Sequence, residues 1–232
     1  MLDTVEPAAN DVDVTALFHG GYLQDIQADP QASTVTKEKA TLTVRHLYPE
    51  TMAVKAEKTP SYLNTYREYP LQAEGMLTTT ARTAGKPLVI ANLLSTDTGG
   101  LKTTAGAGHV AGSQAGKDFA FTTSPGASYT AGAVETDALA VTWTADTTFA
   151  ALCTTLSRDG ALLVRSAEPI TCERTKGGLK YSLSKAAAVA IGLTTAPGKV
   201  LVNGAPARGA KFDKAAKTLT VTLPAGEGTI TF

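Results

Sequence analysis

The chain has 232 residues, enough for one large β domain or two small ones. Its 21 basic residues balance 21 acidic ones, and a neutral chain argues against a partner such as nucleic acid, whose phosphates need a concentrated basic face. Charged residues are only 18% against 43% hydrophobic, so Thr, Ser and Gly must supply much of the polar surface, which is a β composition.

Met1 to Pro7 has neither the basic nor the apolar stretch of a signal peptide. No run approaches the roughly 18 apolar residues that span a membrane, so no membrane partner is expected. Leu17-Phe18-His19-Gly20-Gly21 ends an apolar run at a glycine turn, which makes His19 a candidate to face a cleft. Thr34 to Tyr48 reads as one long strand with Leu42, Val44, His46 and Tyr48 on one face, continued by Met52, Val54 and Ala56. His46 on such a face is either a hydrogen-bonded core or interface histidine or a catalytic group. Pro60 to Pro70 is a proline-bounded loop holding three of the seven tyrosines. Tyr62, Tyr66 and Arg67 suit stacking on sugar rings; the other reading folds the tyrosines down to cap a sheet or dock a domain. Leu88 to Leu94 is apolar on both faces, as in a doubly covered strand. Ser95 to Lys117, rich in Gly, Ala and Thr, reads as a mobile or functional loop with His109 solvated within it.

Beyond it Phe119 and Phe121 alternate, as do Leu139, Val141 and Trp143. Phe149 to Leu156 meets Ala161 to Val164 across Asp159-Gly160, a strong hairpin signal. Strict alternation puts Cys153 on one inward face with Phe149 and Ala151, and Cys172 inward with Ile170. The two thiols are then either small buried hydrophobes or a disulfide. No histidine stands at ligand spacing from them, so no metal site is expected. Lys176-Gly177-Gly178 and Asn203-Gly204 mark further turns, and Leu219, Val221 and Leu223 alternate with threonines. The fold expected is an all-β, antiparallel β-sandwich: a larger sheet region over 1–135, then a small C-terminal sandwich over 136–232.

Hydrolase, nucleotide and zinc-protease motifs are absent, and no cofactor is implied. The order of segments is the more informative feature. Leu17-Phe18-His19-Gly20, Leu42 to Glu50 and Leu88 to Leu94 together resemble the β-sheet region of heparinase II/III-type polysaccharide lyases. Lys199 to Gly204 and Leu223 to Gly228 resemble the small terminal sandwich of such glycan-active enzymes. The resemblance implies an upstream helical α/α toroid that carries most of the groups for C5 proton abstraction and uronate neutralisation. It also implies a histidine near the start of the sheet region, for which His19 and His46 are the candidates.

The expected function is therefore a non-catalytic β portion of a larger secreted or periplasmic polysaccharide lyase. It would support the toroid and line one wall of an acidic-glycan cleft, with Tyr62, Tyr66 and Arg67 as the substrate-binding residues. The isolated chain is expected to be inactive, and a reading frame that begins at Met1 would count against this reading. The alternatives are a stand-alone carbohydrate-binding or cell-surface adhesion module, or a complete small β enzyme.

Overall fold

A computed structural model describes residues 1–6, 11–22, 25–60, 73–85, 87–96 and 100–232, with only the backbone described at 19–22, 58–60 and 73–74. The chain is all-β: among the described residues every regular element is a strand, and every strand pairing is antiparallel. This is consistent with a β-sandwich. Two compact units divide the chain, Met1–Gly99 and Gly100–Phe232.

The first unit holds two sheets. One has five strands, in spatial order Leu2–Val5, Leu88–Ser95, Ala40–Tyr48, Ala32–Lys37 and Asp25–Gln27. The other places Ala73–Arg82 between Asp13–Tyr22 and Ala53–Pro60. Met52, Ala81, Leu88 and Ile90 pack together as its core, with Val14 and Val54 against them. The long strand expected over Thr34 to Tyr48 is instead a hairpin. Glu38 adopts a left-handed φ of 55°, and Lys37 pairs with Ala40. Three consecutive charged residues, Lys37-Glu38-Lys39, favour the wet tip of a turn over a strand interior.

In the second unit the stretch expected to be a loop is sheet. Lys102–Gly106 and His109–Gln114 form a hairpin, and the latter pairs on with Lys117–Thr122. Lys102-Thr103-Thr104-Ala105-Gly106, exposed throughout, suffices for an edge strand, because His109–Gln114 pairs with its backbone. Lys117–Thr122 in turn pairs with Ala140–Trp143, so these strands belong to the second unit. The division thus falls after Gly99, well upstream of the expected 135.

Two long strands, Thr148–Arg158 and Ala161–Thr175, organise the second unit. They are joined at Asp159-Gly160, where both residues have positive φ (52° and 73°) as a type I′ hairpin requires. Ala161–Thr175 then branches: its end pairs with Gly178–Leu183 and its beginning with Ala187–Gly192. Both branches contribute to one core that includes Leu156, Ile170, Leu183, Ile191, Leu223 and Ile230.

The ladder between these two strands shifts register at three places, and the first shift has a large consequence. Between Ala150 and Cys153 the ladder gains an extra residue, with Leu152 at φ 52° and 52% exposed. That bulge turns Phe149 outward, to 38% exposure, while Ala150 and Cys153 are fully buried. The expected inward face shared by Phe149, Ala151 and Cys153 therefore does not exist. Beyond the bulge, Asp137 takes up the irregular backbone: its Oδ1 accepts from Thr154 N (2.8 Å) and Thr155 N (2.9 Å).

Candidate functional site

His46 lies on Ala40–Tyr48 between two partner strands, and both of its ring nitrogens are engaged. Nδ1 stands 2.8 Å from Asn92 Oδ1 on Leu88–Ser95. Nε2 stands 2.9 Å from Ser33 Oγ on Ala32–Lys37. Because Asn92 Oδ1 can only accept, Nδ1 carries the proton, and in the neutral ring Nε2 accepts from the Ser33 hydroxyl. The order Ser–His–Asn has the outline of a nucleophilic triad. Ser33, however, is 0% exposed, and its Oγ also accepts from Asp29 N at 3.2 Å. A hydroxyl so enclosed cannot meet a substrate carbonyl, so in this conformation the arrangement ties three strands together by polar contacts. The Asp29 carboxylate continues the network, held below its usual pKa by the Gln31 and Ala32 backbone N–H groups.

The other expected groups lie elsewhere. His19 is on Asp13–Tyr22, its backbone paired with Met76, and its side chain lies outside the described residues. Tyr62, Tyr66 and Arg67 fall wholly outside them. His109, expected in a loop, opens the strand His109–Gln114 and stacks on Tyr129 with ring centroids 5.2 Å apart. Cys153 and Cys172 are both free and buried. A hydrogen bond between their side chains, and then burial, push the Cys153 thiol far above its usual range, which suppresses the reactive thiolate. Among the described residues no three His, Cys, Asp or Glu side chains gather as metal ligands.

The outward face of the second unit presents a different kind of site. Cross-strand register lines up Phe119, Thr142, Phe149, Glu173, Lys180 and Thr229 on one side of the sheet. Phe119 lies over Gly112, where a side chain would collide with the ring (2.6 Å from a Cβ to Phe119 Cζ). Phe149 borders an open depression of about 460 Å³ together with Thr171, Ser182 and Glu227. The Lys180 ammonium and the Glu173 carboxylate meet at 3.2 Å beside it. An exposed ring edged by hydroxyls, carboxylates and an ammonium can stack on an apolar ring face while hydrogen-bonding the groups around it.

Sequence reading missed this row, because period-2 alternation assigned Phe149 to the core. The only local signal was the run Ala150-Ala151-Leu152, which shows no strict alternation. No family model matches the chain, and no curated protein matches it.

Proposed function

We propose that this chain is the non-catalytic β portion of a larger polysaccharide lyase and lines one wall of a glycan cleft. The observation that carries the proposal is the exposed Phe149 ring, set in a polar row on an open sheet face. Sugars offer an apolar C–H face and a rim of hydroxyls, and this surface offers the complement of both. The enclosed Ser33 hydroxyl supports the non-catalytic half of the reading. Because the platform lies within a single compact unit, it equally supports a stand-alone carbohydrate-binding module. The two differ in whether the gene encodes several hundred helical residues upstream.

The test uses the whole chain. Incubated with uronate polymers, it should yield no unsaturated product by ultraviolet absorbance, and it should be retarded on a column of the immobilised polymer. Phe149→Ala should reduce that retardation at least fivefold, with Tyr62→Ala run beside it to weigh the expected loop. Turnover would overturn the non-catalytic assignment, and unchanged retention of Phe149→Ala would remove the platform.

A further inference from the structure

At one end of the second unit a basin of about 600 Å³ opens, within the ~300–1,000 Å³ span of small-molecule sites. Three cations line it, Arg174, Lys176 and Lys217, and no Asp or Glu side chain does. The nearest acidic groups are the α-carboxylate of Phe232, which also lines the basin, and Asp146 and Asp159 in the adjoining depression that shares Arg174 and Lys176. Residues far apart in sequence build it, and Gly192 is a condition of its shape. A side chain there would collide with the Leu162 carbonyl oxygen, so only glycine lets the two backbones approach this closely.

Arg174 is the unusual member. Its guanidinium donates from Nη1 to Gly178 O (3.2 Å) and from Nη2 to Gly192 O (3.3 Å), and it lies 4.8 Å over the Phe232 ring. Nε is shielded from solvent and has no partner. Among the described residues no carboxylate pairs with the guanidinium, whereas Arg158, also partly buried, pairs with Asp159 at 3.7 Å. Burial lowers the proton affinity of Arg174, the sign of a cation withdrawn from water without a counter-charge. Lys176 is shared with the exposed Asp146 at 3.7 Å, so the weight falls on Arg174 and Lys217. Beside these cations stand apolar surface from Leu193 and Pro197 and two hydroxyls, Thr194 and Thr195.

We propose that this basin binds the carboxylated ring of an acidic sugar, its carboxylate against Arg174 and Lys217 and its ring against Leu193 and Pro197. A guanidinium prefers a planar carboxylate, and the apolar wall gives a sugar ring more than a bare anion would use. The sugar class rests on the glycan reading above; the preference for an anion rests on the charge of the basin alone.

The experiment titrates the isotope-labelled full chain with trigalacturonate, neutral maltotriose and sodium sulfate, following amide resonances of Gly192 to Thr195. Trigalacturonate should shift them and maltotriose should not. Lys217→Asn removes one charge at a site where φ is 51°, a backbone region that asparagine tolerates well, and should weaken binding at least fivefold. Arg174→Gln should abolish it, with Trp143 emission checking that the variant folds. No shift with trigalacturonate, or no weakening in Lys217→Asn, overturns the site. Sulfate binding as tightly as trigalacturonate overturns the sugar assignment. If trigalacturonate leaves Gly192 to Thr195 unmoved while immobilised uronate polymer retains the native chain but not Phe149→Ala, the basin fails and the glycan wall stands. If trigalacturonate binds the basin while the polymer retains nothing, the wall fails and the basin stands.

Discussion

The two units bury different chemistry. The second is held by a continuous apolar cluster running from Ala120 to Ile230, drawn from both branches of its sheet. Among its described residues the first buries fewer apolar side chains, the cluster of Met52, Ala81, Leu88 and Ile90 with Val44, Leu77, Val89 and Ala91, and beside them lie nearly as many buried polar groups: Ser33, Thr43, Thr78, Thr79, Thr83 and Asn92. Apolar burial is non-directional and accumulates with area. A buried polar network instead depends on every partner being present, because an orphaned donor or acceptor carries its full desolvation penalty. The first unit should therefore be sensitive to the loss of single hydrogen bonds, and the second to the loss of volume.

The largest effect expected is in the second unit. Ile170→Ala, at a fully buried position, should destabilise it by about 2–5 kcal/mol. Urea unfolding followed by Trp143 fluorescence reads this directly, since Trp143 is the only tryptophan and belongs to that core. In the first unit, His46→Leu keeps the bulk of the ring but strands Ser33 and Asn92, at a cost of about 1–3 kcal/mol. That loss should appear in backbone circular dichroism with the Trp143 transition unmoved. An equal shift in both signals would break the contrast between the units.

The smallest effect is at alkaline pH. Tyr129 is 5% exposed, its hydroxyl has no partner, and burial, then Cys153 and Asp137, push its pKa well above the ordinary value. The unfolded phenol ionises near ~10 while the folded one stays protonated, so the folded state binds more protons there. Stability of the second unit should accordingly fall as pH rises past about 10, with the Cys153 thiol contributing to the same decline from its lower unfolded value. Tyr129→Phe should flatten that fall while leaving neutral-pH stability unchanged or slightly raised, because the hydroxyl it removes is unpartnered. Denaturant midpoints at pH 7 and pH 10.5 test this, and an equal fall in both proteins would refute it.

Local signals in the sequence determined much of the fold. Alternation at Leu219, Val221 and Leu223 predicted a strand with one buried face, and all three are buried in it. Asp159-Gly160 and Asn203-Gly204 are hairpin turns with positive φ at both residues, because those residue types alone lower the cost of that backbone. Tertiary structure decided what local pattern cannot encode. The bulge at Leu152 depends on how Thr148–Arg158 registers against Ala161–Thr175, and one extra residue there moved Phe149 from the expected core to the surface. The partners of His46 come from two other strands, one of them far away in sequence. The basin gathers Arg174, Gly192, Lys217 and Phe232, which share no local motif. Periodicity reports which face a residue takes while the ladder is regular; long-range pairing sets where the ladder breaks and which side chains then meet.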